Sequence, residues 1–336
     1  MNVTVIGAGA WGTALAQQAA SNGNVCVIIG RDPEVIRAIN TQHRNPKYFP
    51  DTILDSRVTG SLSYDCLKGA EAVILAVPSR QIEEVTLTAD RYADRPEIWI
   101  CAAKGFFPHT KERMSQVIKR CVSKDHCAGI VSLIGPSFAE EVVKGGLTAI
   151  DAVSEDQNAA RTAQLLFSNE TFRVYTGSDL IGAETASSMK NIIAIAAGMA
   201  AGRGLGHNAL AGLITRGLAE ITRFGAALGG NPKSFLGLSG VGDLVLTCTS
   251  KQSRNFSAGY MIGKEDSAEG FWKNNRKTVE GVSTCEVLYE YAKELGVELP
   301  ITNEMYEVLF RGAKPSESID RLMRRELKAE EWSSKE

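Results

Sequence analysis

"VTVIGAGAWGTALAQQAAS", residues 3–21, passes from a strand-like run through a glycine-rich turn into a helical segment. Val3–Gly7 is β-branched and apolar, Gly7–Gly12 reads G-x-G-x-x-G, and a helix is predicted to begin near Ala10. Alone, the glycine pattern is a weak signal. Its context is specific: first strand, first turn, helix start, and a second strand, "VCVIIG" (25–30), about 20 residues on. In such a turn Gly7 allows the tight bend, Gly9 lets a pyrophosphate approach the backbone, and Gly12 lets helix pack closely on strand. The helix start offers unpaired N–H groups and a partial positive charge. The stretch therefore predicts a dinucleotide-binding loop at the head of a doubly wound sheet.

Further strands are predicted at 72–77, 97–104 and 129–135, with helix-length segments at 13–21, 33–40 and 110–119. Apolar strands alternating with helices indicate a parallel sheet covered on both faces. Runs at 148–153 and 172–177 extend that sheet around a helix at 155–167. Strand signals stop after about residue 180. Leu210, Ile214, Leu218, Ile221 and Leu228 then recur at helical spacing, and helices are predicted at 284–295, 301–311 and 316–328. The expected architecture is α/β: a Rossmann-type doubly wound sheet in residues 1–180 and an all-helical substrate-binding and catalytic domain in residues 181–330. Only the tail "EEWSSKE" reads as loose.

Composition narrows the function. The 336 residues carry 37 Lys and Arg against 39 Asp and Glu, a net charge of −2, with no basic block that would mark a nucleic-acid partner. Seven cysteines without a CxxC pair, four histidines and no HExxH argue against disulfides, zinc and iron–sulfur clusters. No targeting segment precedes the first strand, and no apolar run is long enough to insert in a membrane. A reducing cytoplasm is the expected compartment.

The end of the second strand reads Gly30-Arg31-Asp32. An acidic residue there would bond the ribose 2′-hydroxyl of NAD, and an arginine would accommodate the 2′-phosphate of NADP. Arg31 can pair with phosphate, whereas Asp32 comes one position late and precedes Pro33, so it reads as a helix cap. NADP(H) is preferred on this reading, with NAD(H) left open.

"TASSMKNIIAIAAGMAAG" (185–202) carries a single charge, Lys190, in an otherwise small and apolar helix. A helix apolar all round is buried, and a lysine is seldom buried without a partner. Lys190 either snorkels its stem to water or works in a site. Three other features belong near the carboxyl ends of the strands or at helix starts. Lys104 closes "EIWICAAKG". "GPSFAEEV" (135–142) leads from a strand into a helix, with Ser137 and Glu140 spaced as a capping box. "GVGDLVLTCTSKQSRNFSAG" (240–259) sets Asp243 in a Gly-rich turn and Ser253-Arg254-Asn255 at a helix start, where a guanidinium beside free N–H groups suits an anion. Each also has a purely structural reading.

With "GAGAWGTALA", "AAKG", "GPSFAEEV", "MKNIIAIAAG", "LITRGLAEI", "GDLVLTCTS", "SRN" and "VEGV" in this order, the chain closely resembles the bacterial NAD(P)-dependent glycerol-3-phosphate dehydrogenases. The resemblance spans about residues 3–310. It implies reversible reduction of dihydroxyacetone phosphate to sn-glycerol 3-phosphate, which supplies the phospholipid backbone. It makes Lys190 the catalytic lysine and general acid/base, and gives Lys104, Gly135, Ser137, Lys190, Asp243, Ser253, Arg254 and Asn255 to the substrate. It gives Gly7, Gly9, Ala10, Trp11, Gly12, Arg31, Lys104, Ala139, Arg254 and Glu280 to the dinucleotide. It calls for no metal, and it leaves room for a homodimer. Two departures stand out: Ala10 stands where many relatives carry a hydroxyl-bearing residue, removing one possible phosphate contact, and His207 matches no expected residue type and is assigned no role. The rival readings are a related two-domain dehydrogenase of a hydroxy acid or keto acid such as ketopantoate, and a dinucleotide sensor without catalysis. The SRN and GDL segments argue against the first, and Lys190 with the anion-binding set against the second.

Overall fold

The computed structural model describes residues 1–108, 110–275, 278–327 and 329–330. Eight strands form one sheet: β1 (Asn2–Ile6), β2 (Val25–Ile29), β3 (Val58–Ser61), β4 (Ala72–Leu75), β5 (Glu97–Cys101), β6 (Cys127–Ile134), β7 (Thr148–Val153) and β8 (Phe172–Gly177), in the order β3-β2-β1-β4-β5-β6-β7-β8. The helices among them are α1 (Ala10–Ser21), α2 (Pro33–Gln42), α3 (Ile82–Asp90), α4 (Met114–Cys121), α5 (Ala139–Val143) and α6 (Gln157–Phe167). The chain moves outward from β1 to β3 and then returns to the other side of β1 as β4. That reversal opens a crevice at the carboxyl ends of β1 and β4, where such sheets bind ligands.

The sheet is not wholly parallel: β7 runs antiparallel to β6, whereas β8 is parallel to β7. Between β6 and β7 stands only the five-residue α5, and the chain turns back instead of recrossing the sheet on a full-length helix. The short β3, which holds Gly60 among four residues, gives no strand signal of its own. The predicted strand 97–104 stops at Cys101, and the predicted helix 110–119 starts at Met114, because the intervening chain leaves the sheet and returns through a bridge between Phe106 and Arg113. Phe106 and Phe107 there enter opposite cores, Phe106 that of the helices and Phe107 that of the sheet.

The second half contains α7 (Leu180–Gly202), α8 (His207–Ala227), α9 (Asp243–Thr249), α10 (Arg254–Glu265), α11 (Glu269–Asn274), α12 (Glu280–Leu295), α13 (Pro300–Arg311) and α14 (Pro315–Met323), with no strand among the described residues. Lys328 of the predicted last helix and residues 331–336 of the tail lie outside the described residues. α7 is buried along almost its whole length and forms the axis of the helical core. It can be approached so closely because both helices at its tightest crossing carry G-x-x-x-G. A Cβ on Gly198 would lie 2.0 Å from the Phe256 carbonyl oxygen, and one on Gly259 of α10 would lie 2.0 Å from that of Ile195. No helix among the described residues is long and apolar enough to cross a membrane.

Candidate active site

The β1–α1 turn is built by backbone proximity. Gly7 has φ +122°, and a Cβ on it would lie 2.4 Å from the Ala76 carbonyl oxygen, while one on Gly12 would lie 2.0 Å from that of Gly7. Gly9 is different in kind: a Cβ there would meet nothing within 4 Å, and no side chain caps α1, whose N-cap it is. An open backbone face over uncapped helix N–H groups has the shape and polarity a pyrophosphate needs, so the turn fits a dinucleotide. Ala10 and Trp11 open α1, and Trp11 packs partly buried against the sheet core. Asn45, unremarked in the sequence, is buried and donates to the Ala8 carbonyl (3.1 Å) and the Thr13 hydroxyl (2.8 Å), bracing the turn from beyond α2. Arg31 is exposed at the end of β2. Asp32 caps α2, accepting from the Glu34 N–H at 3.2 Å, and lies 3.6 Å from Lys47.

Lys190 does not snorkel. Its side chain is 6% exposed, and its Nζ donates to Asp243 Oδ1 and, at 3.0 Å, to Thr247 Oγ1. The other carboxylate oxygen of Asp243 takes Lys104 Nζ at 3.0 Å. One buried carboxylate thus sits between two ammonium groups, which leaves a surplus positive charge where α7, α9 and the segment after β5 meet. Asp243 opens α9 and does not lie in the preceding turn; Leu238–Gly242 form a single π-helical turn before it. That turn is tied to the sheet by the Ser239 N–H, which donates to Asp151 at 3.0 Å. Thr247 escaped the sequence reading, although it lies four residues after Asp243 and therefore on the same helical face.

Burial pulls the Lys190 ammonium down to about 7; Asp243 opposes the shift and the positive charge of Lys104 adds to it. Burial also works against the charge of Lys104, but Asp243, aided by Glu280, outweighs it and holds Lys104 above its ordinary value. Near neutrality, one lysine of the pair stays charged and the other is poised to exchange a proton.

Ser253 caps α10 by accepting from the Phe256 N–H at 3.2 Å, and Arg254 is exposed at the first position of that helix. Asn255 is engaged within the protein at both ends of its amide, donating to Asn191 Oδ1 and accepting from the Gly281 N–H, each at 2.9 Å. It joins α7, α10 and α12 beside the catalytic candidate. Glu280 opens α12. Gly135, at φ +151°, leaves a Cβ no room against Ile150. The capping box expected at Ser137 and Glu140 is not formed: Phe138 is the N-cap of α5, and Ser137 Oγ instead donates to the Gly135 carbonyl at 3.1 Å. Ala139 begins α5. The structure thus joins Lys104, Lys190 and Asp243 by hydrogen bonds, and among the described residues no hydrogen bond or ion pair links Arg254 to them.

Family models described as the N-terminus and C-terminus of NAD-dependent glycerol-3-phosphate dehydrogenase match residues 2–160 and 179–320. The chain belongs to this family. It is 43% identical over 329 residues to the glycerol-3-phosphate dehydrogenase [NAD(P)+] of Staphylococcus epidermidis, covering 98% of this chain and 99% of that one. Among solved structures, the glycerol-3-phosphate dehydrogenase of Coxiella burnetii superposes with a TM-score of 0.90 at 29% identity, over 96% of this chain and 99% of that one. A ketopantoate reductase of Ralstonia eutropha shares the fold, with a TM-score of 0.58 at 14% identity over 96% and 100% of the two chains. The family thus supplies what motif chemistry alone left open between these two dehydrogenase types.

Proposed function

We propose that this dehydrogenase reversibly reduces dihydroxyacetone phosphate to sn-glycerol 3-phosphate, the glycerophospholipid backbone, with Lys190 as general acid/base. The observation that carries the proton role is the buried Lys190–Asp243–Lys104 cluster. A dinucleotide held by the Gly7–Gly12 turn, with Trp11, Arg31, Ala139 and Glu280 around it, supplies the hydride through its nicotinamide. Two of the three Lys190 N–H donors are committed to Asp243 and Thr247. The third is left for the carbonyl oxygen, to which Lys190 gives a proton as negative charge develops there. In the reverse direction neutral Lys190 takes the hydroxyl proton. Lys104 remains charged, steadying the same oxygen and keeping Lys190 acidic. Arg254 and the α10 N-terminus, with Ser253 and Asn255 shaping it, hold the phosphate, together with Gly135 and Ser137. Binding energy at that remote group orients the carbonyl.

NADP(H) is the preferred cofactor in this reading, because Arg31 is exposed while the Asp32 carboxylate is engaged as a helix cap. Residues 1–180 carry most of the dinucleotide contacts, joined by Glu280, and residues 181–330 supply the acid/base lysine and Arg254, joined at the substrate by Lys104, Gly135 and Ser137. Seven free thiols suit a reducing cytoplasm. An assembly of two copies is compatible with this arrangement and can be read by light scattering. The deciding experiment is a steady-state assay of NADPH and NADH oxidation with dihydroxyacetone phosphate and with ketopantoate. Turnover of the phosphorylated ketone, faster with NADPH, is expected; faster turnover of the keto acid would overturn the substrate, and faster turnover with NADH the cofactor preference.

A further inference from the structure

Lys104 lies three residues beyond the end of β5, on a segment no longer held by the sheet. A flexible four-carbon side chain on such a segment would not by itself keep a fixed place on Asp243. Its neighbour Gly105 is buried, has φ +131°, and donates its N–H to Ser188 Oγ at 3.1 Å. The Ser188 hydroxyl is itself oriented, because it donates to the Glu184 carbonyl one turn back at 2.7 Å and so presents a lone pair to Gly105. Ser188 sits on α7 two residues before Lys190. Four residues earlier on the same helix, the Glu184 carboxylate accepts from Arg113 Nη1 (2.9 Å), Ser115 N–H (2.9 Å), Ser115 Oγ (2.6 Å) and Ser132 Oγ (2.8 Å). α7 is therefore clamped to the sheet by Glu184, and the Lys104 segment is fastened to α7 by Ser188.

We propose that Ser188 is a positioning residue: through the Gly105 amide it holds the Lys104 ammonium on the outer oxygen of Asp243 and so fixes its spacing from Lys190. The kinetic part of this inference rests on the acid/base role given above to Lys190; the structural part does not. Alanine at 188 keeps the helix and removes only the hydroxyl, leaving a buried N–H unpaired. Once Lys104 is free to leave Asp243, its charge no longer depresses Lys190, and Asp243 acts on Lys190 alone. Both changes move the Lys190 titration upward.

The signature has opposite signs in the two directions. In Ser188→Ala, the alkaline limb for ketone reduction and the acid limb for alcohol oxidation should both move up by about half a pH unit or more. At pH 7 oxidation should then fall about twofold or more while reduction holds or rises. Ser188→Thr, which keeps the hydroxyl, should restore the limbs. In a Lys104→Met background Ser188→Ala should add no further shift, since the charge it positions is gone. A crystal structure of Ser188→Ala reads the positioning without reference to catalysis, and Lys104 Nζ should no longer lie within 3.5 Å of Asp243. Unmoved limbs with both directions slowed equally, or Lys104 still seated on Asp243, would overturn the positioning role. Full turnover of Lys190→Ala would instead overturn the acid/base reading, leaving the crystallographic result to judge Ser188.

Discussion

The Gly7–Gly12 turn and the Lys190 centre are both places of unusual crowding, but they are crowded by different means. The turn is six consecutive residues whose backbone folds on itself, and its working feature is the empty space over Gly9. The centre is made of side chains far apart in sequence, Lys104 and Asp243 being separated by 139 positions. Its working feature is one carboxylate shared by two cations. A local device can be written in a motif. A convergent one depends on every contact that brings its helices together, down to the reciprocal glycines of α7 and α10.

The contrast breaks most visibly at Lys190. Lys190→Ala should lower kcat by about 10²–10⁴-fold with little change in cofactor binding, measured by steady-state kinetics and by fluorescence titration of NADPH. Weakened cofactor binding with kcat preserved would mean that the two regions are not functionally separate. Arg254→Ala should come next, raising the KM for the phosphorylated ketone by roughly 10–100-fold, as expected for losing a charge-assisted phosphate contact. A change confined to kcat would remove Arg254 from phosphate binding.

Two alanine substitutions sharpen the comparison through glycine itself. Gly9→Ala should leave stability within about 1 kcal/mol yet weaken NADPH binding about tenfold or more, because its Cβ enters space that is open only in the free protein. Gly198→Ala, whose Cβ would strike the Phe256 carbonyl, should cost about 1–3 kcal/mol of stability in urea denaturation. Equal stability losses in the two variants would erase the distinction between a glycine kept for a ligand and one kept for packing.

The smallest effect concerns a buried titratable group without the partners that Lys190 has. Glu97, the first residue of β5 and so at the amino ends of the strands, away from the carboxyl ends that face the site, is fully buried with neither carboxylate oxygen hydrogen-bonded, and burial pushes it up from 4.5 to about 8. Between those pH values the folded protein holds a proton that the unfolded chain has released, so this group makes stability fall as pH rises through that window. Glu97→Gln should therefore raise Tm at pH 8 and leave it unchanged at pH 4. An equal change at both pH values would assign the effect to packing alone.

Much was legible from the sequence because it rests on short-range periodicity. The first turn, seven of the eight strands and the helical second half all follow from apolar spacing and glycine placement within windows of a few residues. β3 was missed for want of length; β7 was placed at 148–153, but its antiparallel direction has no local sign. Ser137 misled because a capping-box spacing is necessary for the cap and not sufficient; the chain starts the helix one residue later. Thr247, Asn45, Ser188 and Glu184 have ordinary residue types at ordinary positions, and nothing local distinguishes them.

By itself the sequence determined the alternation that makes a doubly wound sheet, the glycine turn that opens it, and the oddity of one lysine in an apolar helix. The tertiary structure alone decided what that lysine meets. A carboxylate from α9, a second ammonium from beyond β5 and a threonine hydroxyl converge on it where it is largely buried. The physical reason is desolvation: the cost of burying charge falls on whatever groups the fold brings together, and no stretch of sequence contains them all.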